Sequence, residues 1–360
     1  MKRLKICCFL GLALLLLTLP VRSAELPPEV ERALPREAGQ LLKDVDHWDV
    51  NSFPEGLCAI WNHLRKDVNT VLRRQTRGAV SVLLVAVLCG LVSGFQKGVG
   101  DESRFLPMAG GLAVTALTAG SLDSLMGAGT AVMEQMNTFS KALLPTLSAA
   151  VAAGGGYITA GARQVATVFF TDLLISLIRQ VLLPLLYACI AAAAADAVVP
   201  GHSLQKIGQG LRKCVAWALT ALMLVFTGFL SVTGAATSAA DALSTQLTRT
   251  AIATAVPVVG SIISDAAGTV LAGAGMLKGA IGVFGLLAVL AICLTPFITM
   301  AVQYLLYKLA AFLAGTVTQE PLADLIDALG SAFGLMLGMT GSCALALLIS
   351  IISSVSVVST

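Results

Sequence analysis

Long apolar stretches follow one another from residue 79 to the C-terminus, and charged residues occur singly between them. A helix must hold about 20 apolar residues to cross a bilayer core of about 30 Å. Five stretches meet this requirement clearly: 79–96, 105–125, 214–236, 280–305 and 331–355. Three others are richer in Ala and Gly or are interrupted by charge: 142–160, 165–199 and 255–275. The pattern predicts an all-α, polytopic helical membrane protein with about eight transmembrane helices.

The stretch 165–199 is longer than a single crossing requires, and it contains Asp172, Arg179 and Pro184. Proline removes a backbone donor and kinks a helix. Two interpretations stay open for this stretch, one tilted and kinked helix or two partial helices.

The N-terminus has the three-part pattern of a signal peptide over residues 1–24. Lys2, Arg3 and Lys5 precede the apolar run 6–19, and small residues follow Pro20. An uncleaved anchor is the alternative. In either case we expect the chain that follows to lie outside the cytoplasm.

Residues 25–78 are predicted to form an extracytoplasmic, amphipathic helical segment. Apolar residues recur at helical spacing from Leu57 to Leu72, and Arg65, Lys66, Arg73 and Arg74 occupy the other face. Such a helix lies on a membrane surface or against a partner, or it belongs to a small domain that packs on itself. Residues 79–141 would then hold the first two spans and an interfacial loop, and 142–360 a multi-span domain.

Two pairs of prolines indicate an internal duplication of the multi-span domain. Pro145 and Pro257 are 112 residues apart, and so are Pro184 and Pro296. The same offset carries 142–236 onto 254–348, within a second copy at 254–355, and gives each copy three spans. Because an odd number of spans turns the second copy over in the membrane, a duplication predicts an inverted repeat of three helices. The alternative is chance, since segments rich in Ala, Gly and Leu align with almost anything.

Composition supports the membrane prediction and excludes several classes of function. The chain of 360 residues is 57% hydrophobic and 12% charged, against about 25% charged residues in a typical soluble domain. Its net charge of +3 is too small to indicate nucleic acid as a partner, and no basic run is interleaved with aromatic residues. The eight cysteines form no CxxC motif, and no hydrolase or phosphate-loop motif occurs. We therefore expect no enzyme activity, cofactor or metal site, and the sequence identifies no small-molecule substrate. The expected partners are the lipid bilayer and other membrane proteins.

Ionisable residues inside spans are costly and therefore mark candidate functional positions. Asp172 and Arg179 are seven residues apart, hence two turns apart on one helix face. They are too distant to pair directly, but water or Ser176 could bridge them. Asp265 lies in a stretch of small residues after Pro257. The alternative is that these charges mark loop ends or line the protein interior.

Glycines recur every fourth residue in the last predicted span, at Gly330, Gly334 and Gly338. Such a ridge lets two helix backbones approach closely, which matters in a membrane because hydrophobicity does not drive helices together there. We therefore interpret the ridge as a packing surface, within the chain or between subunits.

The most specific sequence pattern lies between residues 134 and 321. It includes the stretch MNTFSKALLP at 136–145, Val256-Pro257-Val258-Val259-Gly260, Ser264-Asp265-Ala266, Leu277-Lys278, Pro296, the stretch LYKLAA at 306–311, and Glu320-Pro321. In these residues and in the order of its spans the chain resembles the stage III sporulation protein AE family of endospore-forming bacteria. The resemblance marks Pro257, Gly260, Asp265, Lys278 and Pro296 as candidate functional or packing residues. It supplies no catalytic residues.

This resemblance implies a multi-pass protein of the mother-cell membrane around the forespore. Such proteins belong to a channel or secretion-like assembly that links mother cell to forespore and is needed for endospore formation. A different hypothesis arises from the predicted inverted repeat and the intramembrane charges, namely a self-contained secondary transporter or permease. Transport by the purified chain alone would favour the second hypothesis.

Overall fold

The computed structural model describes residues 28–42, 53–95, 105–153, 157–198, 203–255, 260–318 and 320–356, without the side chains of 233–274 and of a few other positions. Every regular element in these ranges is helical, which confirms the all-α class. The predicted signal peptide lies outside the described residues. Two short helices come first, α1 (Pro28–Arg32) and α2 (Arg36–Leu41). The long helices are α3 (Phe53–Phe95), α4 (Phe105–Ala153), α5 (Tyr157–Leu177), α6 (Leu183–Val198), α7 (Ser203–Ala255), α8 (Gly260–Val317) and α9 (Glu320–Ser356).

The helices are longer than the predicted spans. The 49 residues of α4 include both 105–125 and most of 142–160. The 58 residues of α8 include both 280–305 and most of 255–275. At about 1.5 Å per residue these two helices are roughly 70 to 90 Å long if straight. The predicted count of about eight transmembrane helices is therefore not confirmed, because several predicted spans are parts of one helix.

Five helical stretches among the described residues are long and apolar enough to cross a membrane. They are Val71–Val92, Gln164–Val198, Leu204–Val232, Gly275–Val317 and Glu320–Val355. The predicted span at 105–125 is helical in α4 but is not one of these five. The membrane interpretation thus rests on α3 and on the helices from α5 to α9.

A π-helical turn at Ile178–Leu182 joins α5 to α6 without interrupting the helix. Pro184 follows as the second residue of α6. Proline cannot donate to the carbonyl four residues earlier, and a π turn is one way in which a helix accommodates such a defect. Of the two interpretations of 165–199, the structure therefore has one continuous helix with a local irregularity.

Helix α8 lies at the centre of the bundle, with α3 running parallel to it. Gly56 of α3 lies beside Leu287, and Gly90 lies beside Val317, so residue numbers rise together along both helices. A hydrogen bond between Gln75 and Gln303 lies between these two contacts.

The predicted boundary at residue 78 does not coincide with a break in the structure, because α3 is a single helix that continues through it. The assignment of 25–78 to the outside of the cell stays a prediction.

The predicted inverted repeat is not confirmed. Helices α6 and α7 form one hairpin, and α8 and α9 form the next. Gln205 of α7 bonds to Asp324 of α9, and Arg212 bonds to Ser331, so α7 and α9 run in the same direction. An inverted repeat would map α7 onto α9 with the opposite direction. The two hairpins instead lie side by side in the same orientation.

The core is filled by large apolar side chains of α4, α8 and α9. Phe139, Phe284 and Met336 are each at most 2% exposed, and the rings of Phe139 and Phe284 are 6.2 Å apart. Since lipid is as apolar as these side chains, close packing rather than escape from water holds such a core together within a membrane.

Candidate functional site

Polar side chains from four helices meet where the two hairpins lie side by side; we call this group the hairpin network. Each of its members comes from a helical stretch that is otherwise apolar enough to cross a membrane. The members are Asp196 of α6, Gln205 and Arg212 of α7, Lys308 of α8, and Asp324, Asp327 and Ser331 of α9.

Asp196 connects α6 to the beginning of α7. Its Oδ1 accepts hydrogen bonds from the backbone N–H groups of Leu204 and Gln205, both at 3.1 Å. The first N–H groups of a helix have no partner within the helix, and a carboxylate there also interacts favourably with the helix dipole. This explains how Asp196 can be only 6% exposed.

Asp327 joins α7, α8 and α9 through two cations. Its Oδ1 lies 2.7 Å from Nζ of Lys308, and its Oδ2 lies 3.7 Å from Nη1 of Arg212. The hydroxyl of Ser331, one turn further along α9, accepts from Lys308 at 2.9 Å and from Arg212 at 3.0 Å. Asp327 and Ser331 are four residues apart and so share one face of α9. Each cation therefore has two partners, the arrangement that charged groups in a membrane protein require.

A cavity of about 70 Å³ lies within the hairpin network. It is lined by Asp196, Gln205, Arg212, Asp324 and Asp327 among others. Nε2 of Gln205 donates to Oδ2 of Asp324 at 2.6 Å across this space. A polar cavity of this size is large enough to hold water. Among the described residues no cluster of His, Cys, Asp and Glu has the arrangement that a metal ion needs.

A second polar group lies on the outer face of α4 and α5; we call it the charged ladder. Lys141 of α4 pairs with Asp172 of α5 at 3.0 Å, and Asn137 donates to the same carboxylate at 3.0 Å. Glu134 of α4 pairs with Arg179, in the π turn, at 3.4 Å. Asp172 and Arg179 are therefore not paired with each other, and each has a charged partner on the neighbouring helix.

The glycine ridge of α9 contacts α8 at two of its three positions. A Cβ at Gly330 would lie 3.2 Å from Cβ of Tyr307 and 3.3 Å from the backbone nitrogen of Lys308. A Cβ at Gly334 would lie 2.9 Å from the ring of Tyr304. A Cβ at Gly338 would meet nothing within 4 Å. The ridge therefore brings α9 close to α8 within the chain, and Gly338 takes no part in this contact.

The other predicted residues do not gather into one site. Pro296 lies inside α8 and lines a groove of about 640 Å³ beneath α2. Lys278 is 3% exposed near the beginning of the apolar stretch of α8. Gly260 and Asp265 lie in the first turns of α8, but their side chains are outside the described part of the chain. Pro257 lies outside it altogether.

Sequence reasoning missed the hairpin network, although one signal pointed to it. Arg212, Lys308 and Asp327 lie in or beside apolar stretches, so the rule that singled out Asp172 applies to them as well. All three lie just outside the predicted spans 214–236, 280–305 and 331–355, where charged residues are ordinary. Helix direction was the missing information, since only parallel α7 and α9 bring Arg212 to Asp327.

The five apolar helical stretches, each long enough to cross a bilayer, define the class of multi-pass helical membrane proteins. A model of the stage III sporulation protein AE family matches residues 41–358. The chain belongs to this family, and the predicted resemblance is confirmed.

One relative shows how far the similarity extends. Stage III sporulation protein AE of Bacillus subtilis (strain 168) is 23% identical over 255 residues, which are 70% of this chain and 64% of that relative. The chain thus spans less than two thirds of the length of that protein. No solved structure matches the chain.

Proposed function

We propose that this chain is a multi-pass membrane component of the channel or secretion-like assembly that links mother cell to forespore during endospore formation. Membership of a sporulation family over residues 41–358 carries the proposal. Its place would be the mother-cell membrane around the forespore. Its partners would be the lipid bilayer and the other membrane proteins of the assembly.

The geometry supports the role of a frame within such an assembly. The hairpin network ties four helices together through Asp327 and Asp196, and the glycine ridge brings α8 and α9 into close contact. Paired charges and close backbone contacts favour one helix arrangement over others. A frame of fixed shape suits a protein that holds other membrane subunits in place.

The first test of this function is genetic. In the native spore-forming host, we expect deletion of the gene to leave vegetative growth intact and to stop development after the forespore is engulfed. A fluorescent fusion to the full chain should label the membrane around the forespore. Normal spore yield in the deletion strain would refute the proposal.

The second test links the role to the hairpin network. We expect Asp327→Asn to lower spore yield when it replaces the native residue, because Lys308 and Arg212 lose their shared counter-ion. Lys206→Gln, a change at an exposed position of α7, is the matched control and should leave yield unchanged. Equal spore yields from the two variants would show that the function does not depend on the hairpin network.

A further inference from the structure

Three exposed arginines lie where the uninterrupted apolar run of α3 begins. Arg73, Arg74 and Arg77 are exposed, and residues 79–95 beyond them hold no charged side chain. At about 1.5 Å per residue this run is about 25 Å long, close to the ~30 Å core of a bilayer. The three arginines therefore lie at the depth of the phospholipid headgroups on one side of the membrane.

These arginines share one side of α3, and we call them the arginine cluster. A helix turns by about 100° per residue, so the three positions fall within an arc of about 100° and little more than one turn. Ala79 and Val82, which are 5% and 1% exposed, lie on the other side of the helix and pack into the bundle. The guanidinium groups are thus grouped on the outer surface of the chain.

The outer side of α3 is apolar further along the helix. Val80, Leu84, Leu88 and Leu91 are between 52% and 58% exposed. They follow the arginine cluster at spacings of three or four residues, which keeps them on the same side of the helix. A phospholipid has the same order of parts, a charged phosphate followed by acyl chains.

Helix α8 has an apolar outer surface at the same depth. It runs parallel to α3, and the hydrogen bond between Gln75 and Gln303 sets the two helices level. Leu305, Leu309 and Phe312 follow Gln303 and are 62%, 55% and 72% exposed. On both helices an exposed apolar surface therefore extends into the membrane from the level of the arginine cluster.

Other cations in or beside the apolar stretches are neutralised within the chain. Arg179, Arg212 and Lys308 each pair with a carboxylate of another helix. No ion pair or side-chain hydrogen bond joins the guanidinium groups of the arginine cluster to another residue in the described part of the chain. Charged groups at the edge of a membrane attract anionic lipids when they are left unpaired.

We propose that the arginine cluster binds the phosphate of an anionic phospholipid, whose acyl chains lie along Val80 and Leu84. A guanidinium group donates two parallel hydrogen bonds to phosphate oxygens, which makes arginine well suited to phosphate. Three neighbouring cations would repel the choline ammonium of phosphatidylcholine but not the uncharged glycerol of phosphatidylglycerol. The site therefore prefers phosphatidylglycerol. The proposal does not depend on the sporulation role, and it is tested on the purified full chain.

A single tryptophan at the site reports which lipid lies there. Leu84→Trp places it about 10 Å along the helix from Arg77, in a background with phenylalanine at the native positions Trp48, Trp61 and Trp217. Vesicles hold equal parts of the two lipids, and either one or the other has brominated acyl chains, which quench tryptophan fluorescence at short range. We expect phosphatidylglycerol to associate at least about fivefold more strongly than phosphatidylcholine, the factor that one cation contributes at an anionic surface.

A second reporter shows whether the preference is local. Leu345 of α9 is 53% exposed, as against 55% for Leu84, and α9 contains no Lys or Arg. Leu345→Trp in the same background should give nearly equal association with the two lipids. An equal preference for phosphatidylglycerol at both reporters would contradict the arginine site, because it would belong to the protein surface as a whole.

Removal of the charges tests the arginines themselves. Arg73→Gln, Arg74→Gln and Arg77→Gln together should bring the association ratio at Leu84→Trp to about one. The control removes the same charge at three exposed positions elsewhere and should keep the ratio of the parent chain; it combines Arg32→Gln, Arg36→Gln and Arg65→Gln. Equal unfolding midpoints of both variants in detergent are the evidence that they are folded.

Three results would overturn the proposal. The first is equal association of the two lipids with the parent chain, which would leave the arginines to water or to an acidic protein. The second is a ratio that the three arginine substitutions do not lower. The third is a ratio that inorganic phosphate lowers more than sodium chloride of the same ionic strength does, which would mean that the cluster takes free phosphate instead of a lipid headgroup.

Discussion

At the residue scale, the glycines of α9 allow a test with an internal control. Gly330→Ala would place a methyl group 3.3 Å from the backbone nitrogen of Lys308, which cannot move aside as a flexible side chain can. We expect it to lower the free energy of unfolding by about 1 to 3 kcal/mol. Gly338→Ala meets open space and should raise this free energy by up to about 1 kcal/mol through helix propensity. Unfolding in mixed micelles titrated with SDS measures both, and equal effects at both positions would refute the close contact.

The hairpin network is tested at Asp327. Asp327→Asn removes the counter-ion of Lys308 and Arg212, and we expect it to lower the free energy of unfolding by about 1 to 2 kcal/mol, since the pair is partly exposed. Lys308→Met should rescue part of this loss in the double variant, because one of the two unpaired cations is then absent. A double-mutant cycle gives the coupling energy between the two residues. Additive effects would show that the ion pair contributes no stability.

The sequence identified the charged residues of α5 and the π turn, but it did not identify the residues with which they form ion pairs. Charge inside an apolar stretch singled out Asp172 and Arg179, and their spacing correctly placed them on one helix face. Their partners Lys141 and Glu134 lie about 30 to 45 residues earlier on α4. Helical spacing within one element carries no information about which helix lies beside it, so these pairs could not be predicted.

At the element scale, the contact between α3 and α8 includes a hydrogen bond between two glutamines. Gln303 is 2% exposed and donates to Oε1 of Gln75. Gln75→Leu would leave the buried amide of Gln303 without this acceptor, and we expect a loss of about 1 to 3 kcal/mol in the free energy of unfolding. Gln75→Leu combined with Gln303→Leu should restore stability to the wild-type value or above. If the double variant is less stable than Gln75→Leu alone, the two glutamines contribute more than this one hydrogen bond.

The boundaries of the elements were the least predictable feature. A count of apolar windows assumes that each helix is about as long as the bilayer is thick. In α4 and α8 the helix continues through charged or small residues, such as Glu134 and Gly275, because neighbouring helices cover them or leave them at a polar face. No breaking residue marks the end of a span there. One helix was therefore predicted as two spans in both cases.

At the scale of the whole molecule, the direction of the helices decides which functional hypothesis the fold supports. An inverted repeat was the main reason to consider a self-contained transporter, but α7 and α9 run in the same direction. Pro184 and Pro296 both lie within continuous helices, but a π turn precedes Pro184 and the helix around Pro296 is regular. Small apolar residues recur in all these helices, and such composition produces similar patterns without a duplication.

Helix α3 is longer than the hydrocarbon core of a bilayer, so part of it must lie outside the membrane. Helix α3 has 43 residues and is about 65 Å long if straight, so it extends well beyond a core of about 30 Å. Only Val71–Val92 is apolar enough to cross. We therefore expect Trp61, which is 57% exposed, to lie outside the hydrocarbon, and Leu84, which is 55% exposed, to lie within it. Similar exposure within the protein makes these two positions a matched pair.

Cysteine labelling separates the two positions. In a background with Cys58→Ser and Cys214→Ser, Trp61→Cys should react with a membrane-impermeant maleimide, whereas Leu84→Cys should react only after SDS is added. Reaction of Trp61→Cys in intact protoplasts would further place the first half of α3 outside the cytoplasm, and reaction only in inverted vesicles would place it inside. Equal labelling at both positions in native membranes would contradict the membrane placement of α3. The same result would contradict the membrane placement of α8, because the contact of Gly90 with Val317 holds the two parallel helices at the same depth.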